Sequence, residues 1–385
     1  MSEYQYYEFQ AIDRPLEAAD QKALRNLSSR AGITSRSFTN HYNWGDFRGN
    51  PRKMMGRWFD LHLYLANWGT RQLMIRIPKR LIDRSRIKEF VQAVDEVESM
   101  EYGENLVVDI RFDSEESGYD YSYDEGDGWL DSLAPLRDDL LAGDLRLFYL
   151  LWLTAVERGY LREEGIEPLP GIAPLSEPLE RFAEFFGIDS NLVRAAAESS
   201  DNAGGDRSFA AAAPKVIESI PPDEKTALLL RLVNGDPHVA AEVQSKVRFA
   251  QYTAIGQAKV RLRTVKEIRQ RALVVREERE AKRAERREAE RLRKAKEAEI
   301  ARRARLDAVR RRGARVWDEV ERDIGYRNGV GYDRAATLLA DLKVLAEEAG
   351  AVAAFAKRVQ AIKNRHSRKW RFLERLRERG IDSSD

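Results

Sequence analysis

Apolar residues recur along this chain at two spacings: every second position in parts of its first third, and every third or fourth position after that. Leu73, Ile75 and Ile77 alternate with Gln72 and Arg76, which predicts a strand over 71–77 stopped by Pro78. Leu106, Val108, Ile110 and Phe112 alternate with Asp109 and Arg111 and predict a second over 105–112. β-prone residues predict two more, over 4–11 and 33–42. Between them lie helical spacings. Leu24 and Leu27 mark 16–31, Met54, Trp58, Leu61 and Leu65 mark 52–66, and Phe90, Val91, Val94 and Val97 mark 87–97. Four strands with three helices form a small α/β sandwich, an acidic domain over 1–128. Asn43-Trp44-Gly45 and Asn67-Trp68-Gly69 are turn signals, and each Trp is either a cap over the sheet, the reading favoured, or an exposed contact.

From Trp129 onward the pattern is helical. Leu136, Leu140, Leu141, Leu145, Tyr149, Trp152 and Val156 line one face over 133–161. A linker with three prolines follows at 165–176, then short helices over 179–186 and 190–198, the second capped by Ser190, and a flexible break at 199–205. This helical extension covers 129–205. A further helical segment covers 206–258.

A long basic helix is expected over 259–315. Leu262, Val265, Ile268, Ala272 and Val275 step by three and four and give its start a face to bury. From Arg276 to Glu299 only Leu292 is large and apolar, and the alanines at 281, 284, 295 and 298 make a thin seam. Glu precedes a base by four residues at Glu278–Lys282, Glu290–Lys294 and Glu299–Arg303, which supports an isolated helix. Three readings stand: a solvated spacer, a weak coiled coil, or a helix that contacts phosphates. Beyond a break at Gly329-Val330-Gly331, amphipathic stretches over 332–350 and 351–380 predict a C-terminal helical hairpin within 316–385. The fold class expected is α+β.

Charge sharpens this plan. The 259–315 run holds about 23 Lys/Arg and about 10 Asp/Glu, near +13. Residues 316–385 add about +2, so the chain total of +2 leaves about −13 for residues 1–258. Opposite signs in two regions point to charge-based association. The chain has no cysteine, which removes disulfides and thiolate metal sites and suits a reducing compartment. The N-terminal residues show no signal-peptide pattern, and the most apolar run, 145–156, is too short for a membrane span. A cytoplasmic protein is expected, without membrane contact.

Candidate chemistry is sparse. His41 and His62 lie near Asp46 and Asp60, a set from which a metal-dependent hydrolase can be imagined. The commoner outcome is a hydrogen-bonded structural histidine, so neither metal nor cofactor is assigned. The segment 112–131 is acidic and aromatic without calcium-loop spacing, and reads as a solvated loop or a dock for a basic partner. Arg302, Arg303, Arg305, Arg310, Arg311 and Arg312, with Arg365, Arg368, Lys369 and Arg371 beside Trp370, are candidate nucleic-acid contacts. The function expected first is a non-enzymatic interaction or scaffold protein, associating with a protein partner or itself. A nucleic-acid or ribonucleoprotein binder comes second, and a hydrolase third.

The tail YDRAATLLADLKVLAEEAGAVAAFAKRVQAIKNRHSRKWRFLERL resembles the helical C-termini of bacterial SWIM zinc-finger family proteins, without that family's C-x-C…C-x-H motif. The segment GWLDSLAPLRDDLLAGDLRLFYLLWL resembles an uncharacterised bacterial family. The resemblance implies a bacterial cytosolic protein and supplies no activity, cofactor or site residue.

Overall fold

The computed structural model describes residues 3–82, 84–113, 126–198, 209–257 and 261–381. Most of the acidic 112–131 segment, the 199–205 break and Lys259 lie outside the described residues. The chain divides into two compact units, Met1–Arg279 and Glu280–Asp385.

The first unit opens with β1 (Gln5–Gln10), α1 (Ala18–Leu27), β2 (Gly32–Ile33), β3 (Ser37–Tyr42), α2 (Pro51–Arg57), β4 (Leu61–Ala66), β5 (Arg71–Pro78), α3 (Arg84–Val91), β6 (Val97–Tyr102) and β7 (Asn105–Phe112). The class is α+β, but the sheet has seven strands and not four. They run antiparallel in the order β2-β3-β1-β4-β5-β7-β6. The span 61–66 is a strand, not the end of a helix. Leu61 and Leu65 satisfy a helical step of four and a strand step of two equally well, and β4 is buried on both faces, so no polar alternation betrays it. The missed β6 is an edge strand, half of it exposed and none of it fully buried, whose Val97 extends the spacing of α3. The two-residue β2 is too short to leave a pattern.

One sheet face carries Leu63, Leu65, Leu73, Ile75 and Val108 into a core shared with helices that follow. These are α4 (Trp129–Leu133), α5 (Pro135–Leu141), α6 (Arg146–Glu157), α7 (Glu177–Phe185) and α8 (Ser190–Ala197). The other face buries Phe9, Phe38, Tyr64 and Met74 against Leu24 of α1 and Met54 and Met55 of α2. α8 is capped by Asp189, one residue before the expected Ser190; its carboxylate accepts the Asn191 N–H at 2.8 Å. Trp44 and Trp68 are not caps over the sheet: they are 69% and 47% exposed. Trp44 lies under the Arg30 guanidinium, and Trp68 donates to Thr70. A satellite of α9 (Phe209–Ser219), α10 (Pro222–Val233) and α11 (Val239–Gln257) has a small core of Ile220, Leu228 and Val239.

α12 (Val265–Arg312) is the long helix. Its 48 residues rise about 72 Å along their own axis. A reciprocal cap starts it: Thr264 N–H donates to Glu267 at 2.8 Å, and Glu267 N–H to the Thr264 hydroxyl at 3.2 Å. Val265, Ile268, Ala272 and Val275 are buried as their spacing predicts.

In the second unit, the end of α12 is followed by α13 (Arg315–Gly325), α14 (Gly329–Glu348), α15 (Val352–Arg365) and α16 (Trp370–Glu378) around Val320, Ile324, Leu339, Val359 and Phe372. Gly329-Val330-Gly331 is the first turn of α14, not a break. Asn328 caps it by accepting the Gly331 N–H at 2.7 Å. A Cβ on Gly331 would meet the Asp323 carbonyl at 2.4 Å, so the glycine permits close approach of two backbones.

Candidate functional site

The four residues proposed for hydrolysis are not brought together. His41 pairs across the sheet with Tyr6, and His62 with Phe9, so alternation along β1 sends the two imidazoles to opposite faces. His41 is exposed. His62 is fully buried, stacked on Phe9 with ring centroids 3.9 Å apart, its Nδ1 2.9 Å from the Glu8 carbonyl. Burial pushes its pKa down to about 3, which keeps the ring neutral. Its Nε2 has no hydrogen-bond partner. Asp46 accepts from the Gln5 amide at 3.1 Å.

Asp60 is saturated from both sides. Oδ2 accepts the N–H groups of Ile12 and Asp13 at 2.6 and 2.9 Å, and Oδ1 accepts Arg76 at 2.6 Å. Arg137, 1% exposed, lies 3.5 Å from Asp60, donates to the Arg76 carbonyl, and reaches Asp13 at 2.7 Å, where His238 also sits at 3.3 Å. Burial alone would raise the Asp13 carboxyl, but the hydrogen bond from His238 and the Arg137 charge hold it well below the ordinary carboxylate range. This network ties the end of β1, β4, β5, α5 and the approach to α11 together. The pattern of the sequence carried no signal for Arg137, because it lies on an otherwise apolar helix face.

A second buried pair anchors α12. Glu167, 1% exposed, accepts the Tyr149 hydroxyl at 2.5 Å and the Arg263 guanidinium at 2.8 Å. Arg263 also donates to the carbonyls of Ala195 and Ala196 at the end of α8. Both networks have their charges matched internally. Among the described residues, no group of three or more His, Cys, Asp or Glu could hold a metal ion. A cleft of about 400 Å³ between α3 and β6–β7 has an apolar floor of Ile87, Val91, Leu106 and Val108, with Arg84 and Lys88 among its polar lining. The Arg84 side chain is engaged by Glu101 of the edge strand.

The exposed part of α12 differs in kind. Every residue from Glu280 to Arg305 is exposed around the full circumference. At roughly 100° per residue, Lys282, Arg283, Arg286, Arg287, Arg291, Arg293 and Lys294 fall on one half of the cylinder. Glu290 falls on that same half, where it pairs with Lys294, and Ala281, Ala284, Glu285, Glu288, Leu292 and Ala295 fall on the other. Arg291, Arg293 and Lys294 have carboxylates of the same helix within 2.8, 3.6 and 2.7 Å. Among the described residues, no carboxylate pairs with Lys282, Arg283, Arg286 or Arg287. Lys282 was expected to pair with Glu278, which instead meets Arg271 at 3.2 Å; the other three were not singled out from sequence, because counting charges along a line does not show which side they take. The signal was there in the angular spacing.

The arginines singled out from sequence lie further along. Arg303 and Arg310 pair with Glu348 at 3.0 and 2.6 Å, Arg305 with buried Asp341 at 2.6 Å, and Arg312 with Glu319 at 2.5 Å. Arg302 is 3.8 Å from Glu299, and Arg311 donates to the Asp307 carbonyl. Arg365 pairs with Glu321 at 2.6 Å, beside His366. Lys369 binds the Ile324 carbonyl at 3.0 Å, Arg371 stacks over Trp370, and Arg368 is exposed. Most of this set holds the second unit's helices together.

No helix among the described residues is long and apolar enough to cross a membrane. Comparison of the chain with protein-family models, curated proteins and solved structures finds no match.

Proposed function

We propose that this is an interaction protein that associates by charge, with the 282–294 face of α12 as its docking surface and a nucleic-acid backbone as the polyanion it suits best. The observation behind this reading is the gathering of seven cations, with Glu290 the one carboxylate among them, onto half of a fully solvated stretch of helix, four of them without a carboxylate partner among the described residues. A helix stabilised only by its own ion pairs would gain more from placing Glu beside each base. Five of the seven are arginines, whose planar fork engages phosphate oxygens in pairs. Over about 18 Å of helix axis they face a row of regularly spaced charges, and such a row needs no shape match.

The test is titration of the full chain with a labelled duplex at several salt concentrations. Binding at about 50 mM salt should weaken steeply as salt rises. The Lys282→Glu, Arg283→Glu, Arg286→Glu, Arg287→Glu variant should lose at least a hundredfold in affinity. Equal binding by the variant ends the proposal. The charge balance favours a second reading, in which the basic run of one copy meets the acidic front of another. Salt-sensitive self-association in size-exclusion chromatography, lost in the same variant, is its signature.

A further inference from the structure

We infer that the corner of the second unit where the end of α13 meets the start of α16 is a stacking platform for single-stranded nucleic acid. The inference rests on the reading of the protein as a polyanion binder and names what the chain would select. Trp370 is 63% exposed and Tyr326 58% exposed, large aromatic faces that the unit's core does not use. They share this corner because one carbonyl joins their neighbours: the oxygen of Ile324 accepts both the Arg327 N–H at 3.4 Å and the Lys369 ammonium at 3.0 Å. Buried Phe372 fixes α16 from beneath, with its ring 5.9 Å from that of Tyr332.

The cations around the rings are arranged for phosphate. The Arg371 guanidinium lies 5.3 Å from the Trp370 ring centre, and Arg327 and Arg368, next in the chain to Tyr326 and Lys369, are exposed. Arg327 has φ 55°, a left-handed conformation that a residue with a side chain adopts at some cost. An exposed aromatic beside several cations is the arrangement by which unpaired bases stack while their backbone is neutralised, with little sequence preference. A duplex keeps its bases stacked on one another and offers such rings nothing to cover.

Fluorescence anisotropy with a labelled thymidine 20-mer and a 20-base-pair duplex, both against the full chain at low salt, tests this. Trp370→Ala should weaken the single strand about tenfold or more and leave the duplex within about twofold, while Trp370→Phe keeps most of the single-strand affinity. An unchanged single strand, or equal loss on both ligands, overturns the platform. If the fourfold α12 reversal removes binding and Trp370→Ala does not, the platform fails and the α12 reading stands. If single-strand binding survives the α12 reversal but not Trp370→Ala, the platform stands and the α12 reading fails.

Discussion

Arg137 and Arg263 lie inside the first unit, with carboxylates and carbonyls around them, whereas Arg283, Arg286 and Arg287 lie on α12 with water around them. The side chain is the same and the surroundings decide its role. A buried guanidinium must have its charge matched, so each partner of Arg137 is also a constraint on how β1, β4 and α5 fit. An exposed guanidinium with no carboxylate in reach is already satisfied by water and constrains nothing until a better partner arrives. Buried arginines here specify the fold, and exposed ones without a carboxylate partner are free to specify an encounter.

The comparison breaks most easily at Arg137. Arg137→Met takes the donor from the buried Arg76 carbonyl and a neighbouring cation from buried Asp60, while half-exposed Asp13 keeps His238, and it should cost about 3 kcal/mol. The urea unfolding midpoint reads this. Arg137→Lys should rescue little, because a single ammonium cannot reach both the Arg76 carbonyl and Asp13. A loss below about 1 kcal/mol would mean that the surrounding arginine and backbone donors suffice without it.

A titration sharpens the same contrast between buried and solvated groups. His62 has a folded pKa of about 3, below its unfolded value, so the unfolded chain takes up the proton first as pH falls. Its stabilising share is complete above about pH 6.5 and declines by up to about 1.4 kcal/mol per pH unit below that, until the folded ring titrates. Unfolding at pH 7 and pH 4.5 should differ by about 2–3 kcal/mol more in the native chain than in His62→Phe. An identical difference in both would place the pH dependence elsewhere.

At the start of α12, Thr264→Ala removes the hydroxyl that accepts the Glu267 N–H. About 1 kcal/mol of stability should be lost, with Thr264→Ser restoring most of it. Thermal unfolding is a sufficient readout. No loss would mean that Val265, Ile268 and the Arg263–Glu167 pair alone hold the helix start.

Much of this contrast was legible in the sequence, and the reasons it was not fully legible are physical. The strands at 71–77 and 105–112 showed themselves through polar positions between apolar ones. β4 did not, because a strand covered on both faces has no polar side to display. The buried start of α12 was read correctly from Val265 to Val275, since a three-and-four step is the same in one dimension and three, while the expected start at 259 was too early and half-buried Leu262 precedes the helix. The pairing of Arg303, Arg305 and Arg310 was invisible, because Asp341 and Glu348 lie more than thirty residues away. His41 and His62 looked like neighbours, but a strand's alternation separates them more completely than distance along the chain does.

The smallest effect on folding should come from the most drastic change of charge. Reversing Lys282, Arg283, Arg286 and Arg287 to Glu replaces four cations that have no carboxylate partner among the described residues and touch no core. Glu is also as good a helix former as Lys or Arg. Far-ultraviolet circular dichroism and the urea midpoint should therefore stay where they are, while polyanion affinity falls. This pairing of results is what separates docking from scaffolding. If the midpoint dropped as far as in Arg137→Met, the four cations would have carboxylate partners within the protein, and their exposure would be no sign of an encounter surface. If stability and affinity both held, the segregation of charge on α12 would be no more than a solvated face.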